Sequence, residues 1–340
     1  MSKEIRTINL PAAPDIAGLR FRHFAGETDY PAMVALLNRC SEADALDYVT
    51  TLDGLKYDYS HLINSDPAQD MIMAEIDGQL VGYGRVYWHQ EAEGPWVYGH
   101  VGRIDPRWRR QGLGRAILCY NQQRLRTIAA GHEPTRPQLF AAEVNNDEAE
   151  IGTLALLRQE GYEPIRYFFK MVRPNLDNIP DLPLPPGLEI RPALPEHYAA
   201  IVAANLEAFQ DHWGITSNPE EELTVEMLTS SPVFDPTIWQ VAWDGDKIAG
   251  MVLNYIDRNE NEKYGRQWGY TEEICVRRPW RERGLAKALI ARSLHLLEEE
   301  GMNQAALYVD AENISGALRL YETMGYQVIR RSSQYRKPLD

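Results

Sequence analysis

Residues 270–290 read YTEEICVRRPWRERGLAKALI. A β-rich run that ends at Val276 is followed by a turn and then by apolar residues at helical spacing. Within the turn, Arg281, Gly284 and Ala286 occupy an R-x-x-G-x-A pattern. Small residues let the backbone approach a ligand, and the amides at a helix N-terminus attract anions. The stretch therefore predicts a strand, a pyrophosphate-binding turn and a helix.

The same turn occurs earlier in the chain, at residues 104–114. Adding 172 to the numbers of Arg109 and Gly112 gives Arg281 and Gly284. A single glycine motif is weak evidence, because short patterns recur by chance, but a repeat with a domain-sized period indicates duplication of a whole folding unit.

Composition indicates a soluble globular protein of about two domains. The chain has 340 residues, 44% of them hydrophobic and 25% charged, and neither a signal peptide nor a membrane anchor is predicted. Three cysteines, Cys40, Cys119 and Cys275, lack metal-ligand spacing and are interpreted as reduced thiols in a cytoplasmic protein without a bound metal. The net charge of −14 argues against nucleic acid as a partner.

Each copy follows the order β, α, β, β, β, turn, α, β, α, β. A D-G dipeptide joins two β-rich runs in both copies, at Asp77 and at Asp244, as in a hairpin. Residues 174–186 carry a cluster of prolines that can continue neither a helix nor an inner strand. We therefore predict an N-terminal domain at 1–173, an extended linker at 174–186 and a C-terminal domain at 187–340.

This order of elements, with a glycine turn between the fourth strand and its helix, resembles the GNAT superfamily of acyl-CoA N-acyltransferases. The resemblance covers nearly the whole chain as two tandem copies, an architecture also similar to that of mycothiol synthase. It implies an α/β (α+β) fold in which helices flank a mixed, mostly antiparallel twisted sheet. It also implies acetyl-CoA as co-substrate, bound through its pyrophosphate by the turn, with the fourth and fifth strands splayed apart.

Residues that would contact the cofactor follow from this resemblance by position. In the second copy they are Val276, Arg281, Glu282, Arg283, Gly284, Leu285, Ala286 and Asn313, and in the first copy Ile104, Arg109, Arg110, Gln111, Gly112, Leu113 and Gly114. Asn313 is also expected to cap the helix that carries Tyr321.

Tyr321 lies four residues before Gly325-Tyr326, where the family places a tyrosine near the cofactor sulfur. A departing thiolate must gain a proton, and a phenol beside it can supply one. The resemblance therefore implies that Tyr321 is the general acid. At the corresponding position the first copy has Leu157, which cannot donate a proton, so its site is predicted to be degenerate or limited to cofactor binding. Glu143 keeps a carboxylate base possible there.

An attacking amine must lose a proton, so a base is expected on the fourth strand. Many relatives have a glutamate there, where this chain has Tyr270; Glu272 and Glu273 lie nearby. Alternation places Glu272 on the face of Tyr270, Ile274 and Val276, and a bulge would exchange the two glutamates. We favour Glu272, whose repeat partner at the 172-residue offset is His100, and expect only one glutamate to face the cleft.

The sequence thus predicts acetyl transfer from acetyl-CoA to a primary amine of a small molecule, by direct attack in the C-terminal domain. Two alternatives remain open: a protein or peptide N-acetyltransferase, and a non-catalytic acyl-CoA-binding regulatory protein. The sequence leaves open whether the protein is a monomer or a homodimer, and fold analogy does not identify the acceptor.

Overall fold

The computed structural model describes residues 7–133, 135–313 and 316–339, which form two compact units. The first unit contains residues 1–166 and 332–340, and the second contains residues 167–331. Within the described residues no helix is long and apolar enough to span a membrane.

The first half of the chain supplies seven strands and five helices, as counted in the described residues. In chain order they are β1 (Thr7–Ile8), β2 (Leu19–Arg22), α1 (Tyr30–Ala43), α2 (Leu52–Ser60), α3 (Pro67–Asp70), β3 (Met71–Ile76), β4 (Gln79–Gln90), β5 (Trp96–Ile104), α4 (Leu113–Ala129), β6 (Gln138–Val144), α5 (Ile151–Gln159) and β7 (Glu163–Arg173).

The second half repeats this order, with differences in the short helices. Its elements are β8 (Glu189–Ile190), α6 (Tyr198–Phe209), α7 (Val225–Ser230), β9 (Gln240–Asp244), β10 (Lys247–Tyr255), α8 (Arg258–Tyr264), β11 (Trp268–Val276), α9 (Leu285–Glu299), β12 (Gln304–Asp310), α10 (Ala317–Thr323) and β13 (Gln327–Pro338).

Both D-G hairpins form where the sequence predicts them. Asp77 and Gly78 connect β3 to β4 with φ angles of 49° and 78°, and Gly245 lies between β9 and β10 with φ 56°. Successive positive φ angles match the twist of a two-residue hairpin and suit Asp and Gly.

Alternate residues of β10 bury opposite faces of the sheet in the second unit. Met251 and Leu253 pack in a cluster with Ile201 of α6. Val252, which lies between them, packs in a cluster with Leu289 of α9. The sheet therefore has α6 on one face and α9 on the other, and each helix buries its apolar side against it.

The strands of each unit pair mostly antiparallel, and one parallel pair among the described residues of each unit opens partway along. The strands β11 and β12 pair in parallel from Trp268 to Tyr270, although β11 continues to Val276 and β12 to Asp310. In the first unit, β5 pairs with β6 only as far as Gly99. The expected splay between the fourth and fifth strands is thus present in both units, and each leaves a gap beside the end of a strand.

The last strand of each unit comes from an unexpected part of the chain. In the first unit, residues 333–338 of β13 pair antiparallel with β6. In the second, residues 168–173 of β7 pair antiparallel with β12. The compact units therefore differ from the predicted ranges 1–173 and 187–340, because backbone pairing assigns the final strands the other way round.

The proline-rich segment 174–186 also differs from the predicted extended linker. It contains neither helix nor strand, but it lies within the second compact unit. Leu176 is buried at 5% exposure in a cluster with residues of α9, α10 and β12, and Ile179 and Leu182 pack against that cluster. Prolines prevent regular structure here, and the leucines and isoleucine attach the segment to the core.

Replacing Tyr335 tests the contribution of β13 to the first unit. The side chain is 2% exposed and packs in a cluster with Phe140 and Val144 of β6. We expect Tyr335→Ala to lower the free energy of unfolding by about 3–5 kcal/mol, as for other large core aromatics, and to speed amide hydrogen exchange in β6.

Tyr335→Phe is the matched control, because it keeps the ring and should lose much less stability. Unchanged hydrogen exchange in β6 of Tyr335→Ala would contradict the assignment of β13 to this unit.

Candidate active site

The arginine that starts each glycine turn holds the turn against the end of its strand. In the second unit, Arg281 donates from Nε to the carbonyl oxygen of Val276 at 2.9 Å and from a terminal nitrogen to that of Ala208 at 3.1 Å. In the first unit, Arg109 donates from Nε to the carbonyl oxygen of Ile104 at 3.1 Å. Both guanidinium groups thus brace the turn through backbone carbonyl groups.

The turns themselves have the backbone conformation of an anion-binding loop. Glu282 and Gly284 have φ angles of 60° and 84°, and their counterparts Arg110 and Gly112 have 64° and 92°. Gly284 precedes α9, whose first amides, including that of Leu285, have no acceptor within the helix.

The surroundings of Gly284 leave room for a phosphate. A Cβ built at Gly284 would meet no atom within 4 Å, and Arg283 is exposed beside it. The open space, the positive end of α9 and the exposed cation fit the pyrophosphate of acetyl-CoA.

A bulge at Glu273 sets the direction of the side chains on β11. Glu273 has a φ of 50°. On β10, Met251 and Leu253 are two residues apart in the sequence. Their partners on β11, Cys275 and Glu272, are three residues apart, so β11 has one extra residue between them. Because cross-strand partners share a face, Glu272 lies on the face of Cys275 and α6, and the expectation that it shares a face with Val276 is wrong.

The carboxylate of Glu272 lies in the gap between β11 and β12. Its Oε1 accepts the backbone N–H of Tyr308 at 2.9 Å, beyond the point where the two strands stop pairing. Burial, reinforced by the neighbouring charge of Glu273, raises the pKa of Glu272 to about 8, while the hydrogen bond from Tyr308 and the charge of Lys170 oppose the rise. A carboxylate with this pKa can accept a proton near neutral pH.

Glu273 turns toward α6. Its Oε2 accepts a hydrogen bond at 2.6 Å from Nδ2 of Asn205, a residue of α6 that is 4% exposed. Desolvation also raises the pKa of Glu273. The bulge thus brings both glutamates to the α6 face, whereas alternation alone predicts one on each face.

Tyr321 lies on α10 within the core of the second unit. It is 7% exposed and clusters with Leu294 of α9 and Leu307 of β12. Burial, with the charge of Glu272 as a second cause, raises the pKa of its phenol. The hydroxyl therefore stays protonated at neutral pH, as a proton donor must.

Asn313 does not cap α10. The helix begins at Ala317, and its cap position is Gly316 with φ 73°. The backbone of Asn313 instead forms a turn, donating to the carbonyl oxygen of Asp310 at 3.2 Å and accepting from the N–H of Gly316 at 3.2 Å. Its predicted contact with cofactor stays a prediction.

The bulge also changes which residues of the two units correspond. In the first unit, Tyr162 contacts Nε2 of His100 through its hydroxyl at 2.9 Å. In the second, Tyr326 contacts the hydroxyl of Thr271 at 2.8 Å. His100 is thus the counterpart of Thr271, and its assignment as the partner of Glu272 is wrong, because β5 lacks the extra residue that β11 has at position 273.

The counterpart of Glu272 in the first unit is Val101. On β4, Gly82 pairs with Ile104 and, three residues later, Arg85 pairs with Val101. On β10, Gly250 pairs with Val276 and, three residues later, Leu253 pairs with Glu272. The first gap therefore has a valine where the second has a carboxylate.

The other candidate residues of the first unit are Leu157, His100 and Glu143. Leu157 is 2% exposed in the core. Burial lowers the pKa of His100 to about 4, with the charge of Lys337 as a second cause, so its ring is neutral. Glu143 is exposed on β6, and desolvation raises its pKa against the attraction of Arg103. Among the residues described, no cluster of His, Cys, Asp or Glu could hold a metal ion.

The raised pKa of Glu272 makes stability depend on pH. Between the reference pKa of 4.5 and about 8, the folded protein retains a proton that the unfolded chain has released, so stability falls as pH rises through this window. We expect Glu272→Gln to remove this loss. The free energy of unfolding of the variant, minus that of the natural protein, should increase between pH 5 and pH 9 by at least about 1 kcal/mol. A pKa shift of less than one unit would already produce a difference of this size.

Denaturant titrations at several pH values measure this difference. Glu299→Gln, at the exposed end of α9, is the control and should change little with pH. A pH-independent difference between Glu272→Gln and the natural protein would show that Glu272 titrates at its ordinary value.

Comparisons with known proteins agree with this geometry. The model of the acetyltransferase (GNAT) family matches residues 30–133 and 200–326. The mycothiol acetyltransferase of Geodermatophilus obscurus is 29% identical over 87% of this chain and 90% of its own length. That of Catenulispora acidiphila is 30% identical over 75% of this chain and 76% of its own length.

Solved structures share the fold over almost the whole chain. A GCN5-related N-acetyltransferase from Sphaerobacter thermophilus superposes with a TM-score of 0.68 at 25% identity, covering 96% of both chains. A tandem GNAT protein from the clavulanic acid biosynthesis pathway has a TM-score of 0.69 at 14% identity, covering 95% of this chain and 99% of its own, and so supports the fold. The chain belongs to the GNAT family of acetyltransferases and is a tandem member of it.

Proposed function

We propose that the second unit transfers an acetyl group from acetyl-CoA to a primary amine of a small molecule. The amine attacks the thioester directly, Glu272 accepts its proton, and Tyr321 protonates the thiolate that leaves. The observation that carries the proposal is the carboxylate of Glu272, with a pKa of about 8, in the gap between β11 and β12, near enough to Tyr321 for its charge to raise the pKa of that phenol.

The protonation states of the two groups suit these roles. A base needs a pKa near the working pH, and a pKa of about 8 leaves Glu272 mostly protonated at pH 7 but ionised in a growing, strongly basic fraction as the pH rises through 8. An acid must hold its proton until the leaving group needs it, and burial keeps the phenol of Tyr321 neutral. The anion of Glu272 would also attract a cationic amine into the gap.

Several contacts support cofactor binding by the second unit. The turn from Arg281 to Ala286 and the start of α9 would hold the pyrophosphate, and Arg283 would add positive charge. The backbone N–H of Val276 is our candidate for polarising the thioester carbonyl. Bound acetyl-CoA supplies the activated acetyl group.

The acceptor is proposed to be a small molecule because relatives named mycothiol acetyltransferases match this chain over most of their own length. The name mycothiol acetyltransferase is that of the relatives and does not identify the acceptor of this chain. Tyr270 stands where many family members have glutamate, so the acceptor of this protein is left at the level of a primary amine.

In the first unit, Val101 and Leu157 occupy the positions of Glu272 and Tyr321. We propose that this unit does not catalyse transfer, although its turn from Arg109 to Gly114 has left-handed residues at the same positions as the turn of the second unit. The catalytic assignment therefore belongs to the second unit.

Tyr321→Phe tests the proposed acid. We expect kcat to fall by about 10²- to 10⁴-fold, the usual contribution of a positioned proton donor, with little change in the Kd for acetyl-CoA. The assay measures thiol release and acetylated product with a panel of small amines, and calorimetry measures binding.

Tyr162→Phe is the matched control, because it removes a buried phenol from the first unit and should leave kcat unchanged. A normal kcat for Tyr321→Phe would exclude the tyrosine as the acid. Absence of transfer to every amine, with acetyl-CoA still bound, would favour the non-catalytic alternative.

A further inference from the structure

A buried lysine lies beside the gap that holds Glu272. Lys170 is on β7, is 2% exposed and stands opposite Tyr308 of β12 in the strand register. Its Nζ is 5.2 Å from the ring centroids of Trp268 and Tyr270 and 5.3 Å from that of Tyr308. A buried ammonium is costly unless rings and polar partners compensate it, so three aromatic neighbours point to a specific role for this cation.

Tyr270 connects Lys170 to a buried carboxylate. The phenol oxygen accepts from Nζ of Lys170 at 3.2 Å and donates to Oε2 of Glu260 at 2.7 Å. Tyr270 also stacks on Tyr255, with centroids 4.6 Å apart and rings within 7° of parallel. The phenol is therefore fixed on two sides, and it holds the ammonium at one position.

Packing explains how Tyr270 can reach across β12. Its parallel partner there is Ala306, which is fully buried and clusters with Tyr270 and Val172 of β7. The methyl side chain of Ala306 leaves room for the tyrosine ring to extend toward β7. Glu260, on α8, is further paired with Arg266 at 2.8 Å, so the carboxylate is also fixed.

Lys170 and Glu272 both lie beside Tyr308 of β12. Glu272 accepts the N–H of Tyr308, and Lys170 lies over the ring of Tyr308. The positive charge of Lys170 favours the ionised form of Glu272, against burial and the charge of Glu273.

The groups around Glu272 come from several elements. They are Glu273 of β11, Tyr255 of β10, Lys170 of β7, Tyr321 of α10 and Tyr326 just before β13. Burial raises the pKa of all three phenols, so they are neutral at working pH. Within this set Lys170 is the cation.

We propose that Lys170 is a positioning residue whose ammonium, held by Tyr270 and Glu260, stabilises the anionic form of Glu272 in the gap. This inference rests on the proposed function only in taking Glu272 as the base. The effect of Lys170 on the pKa of Glu272 can be measured on the protein without acetyl-CoA. It also gives Tyr270 a role at a position where many relatives have a glutamate.

Two substitutions should move the titration of Glu272 in opposite directions. Lys170→Met removes a positive charge and should raise the pKa of Glu272 by roughly one unit or more. Glu260→Gln keeps the shape but removes a negative charge behind Tyr270, so it should lower the pKa of Glu272. A merely structural role for the cluster would not give opposite signs.

The direct readout is carboxyl ¹³C NMR of the protein labelled at glutamate, without acetyl-CoA. Glu272→Gln identifies the signal of Glu272. The second readout is the acid limb of the kcat/KM profile, which should shift in parallel with the NMR titration. Lys170→Arg keeps the charge and should titrate near the natural protein, and circular dichroism checks that each variant is folded.

Each outcome bears on one claim. If Lys170→Met is unfolded, Lys170→Gln, which also removes the positive charge but keeps a hydrogen-bond donor for Tyr270, replaces it in the test. If the pKa of Glu272 is unchanged in the folded variants, or is higher in Glu260→Gln than in the natural protein, the proposed role of Lys170 is wrong. Opposite shifts together with no acetyl transfer to any amine would support Lys170 while refuting the proposed function.

Discussion

The left-handed backbone of Glu273 is the constraint on which the second cleft depends. A non-glycine residue with φ near 50° costs about 1–2 kcal/mol relative to ordinary strand geometry. Regular pairing with β10 on both sides of the bulge and the hydrogen bond from Asn205 hold it in place. The extra residue brings Glu273 as well as Glu272 to the α6 side, and the carboxylate of Glu272 lies in the gap beside Tyr308. In β5, which lacks the extra residue, Val101 occupies the position of Glu272.

The two units therefore share the glycine turn but differ in the residues beside the gap. The arginine brace and the two left-handed residues occur in both turns, because they depend on a few adjacent residues within the loop. The proposed acid and base depend on two further residues, Glu272 on β11 and Tyr321 on α10. Proposed catalysis in one unit thus follows from two local differences on a common scaffold.

Much of the architecture could be predicted because it depends on local signals. The D-G hairpins, the glycine turns and the helices after them follow from backbone preferences of neighbouring residues. The final strands could not be assigned in this way, since β7 and β13 follow similar helices and both offer a strand to an open sheet edge. Which of these two strands pairs with β6 and which with β12 depends on contacts between residues distant in the sequence, such as the contact of Tyr335 with Phe140.

The role of Tyr321 as the acid stays a prediction, and the directions of the side chains on β11 could be predicted only in part. A one-residue insertion leaves the 172-residue offset correct at Arg281 and wrong at His100, and only the pairing with β10 reveals it. Lys170 had no sequence signal of its own, because its importance comes from β7 lying beside β12. The positive φ of Glu273 likewise depends on tertiary structure, since glutamate has no preference for it.

The most direct test of the account is a crystal structure with an acetyl-CoA analogue whose thioester is replaced by a stable thioether. We predict that its sulfur lies within hydrogen-bonding distance of the Tyr321 hydroxyl, that its pyrophosphate contacts the amides at the start of α9, and that Glu272 faces the acetyl end. An analogue bound only in the first unit, or one whose sulfur lies away from Tyr321 in the second, would contradict the assignment of the chemistry to the second cleft.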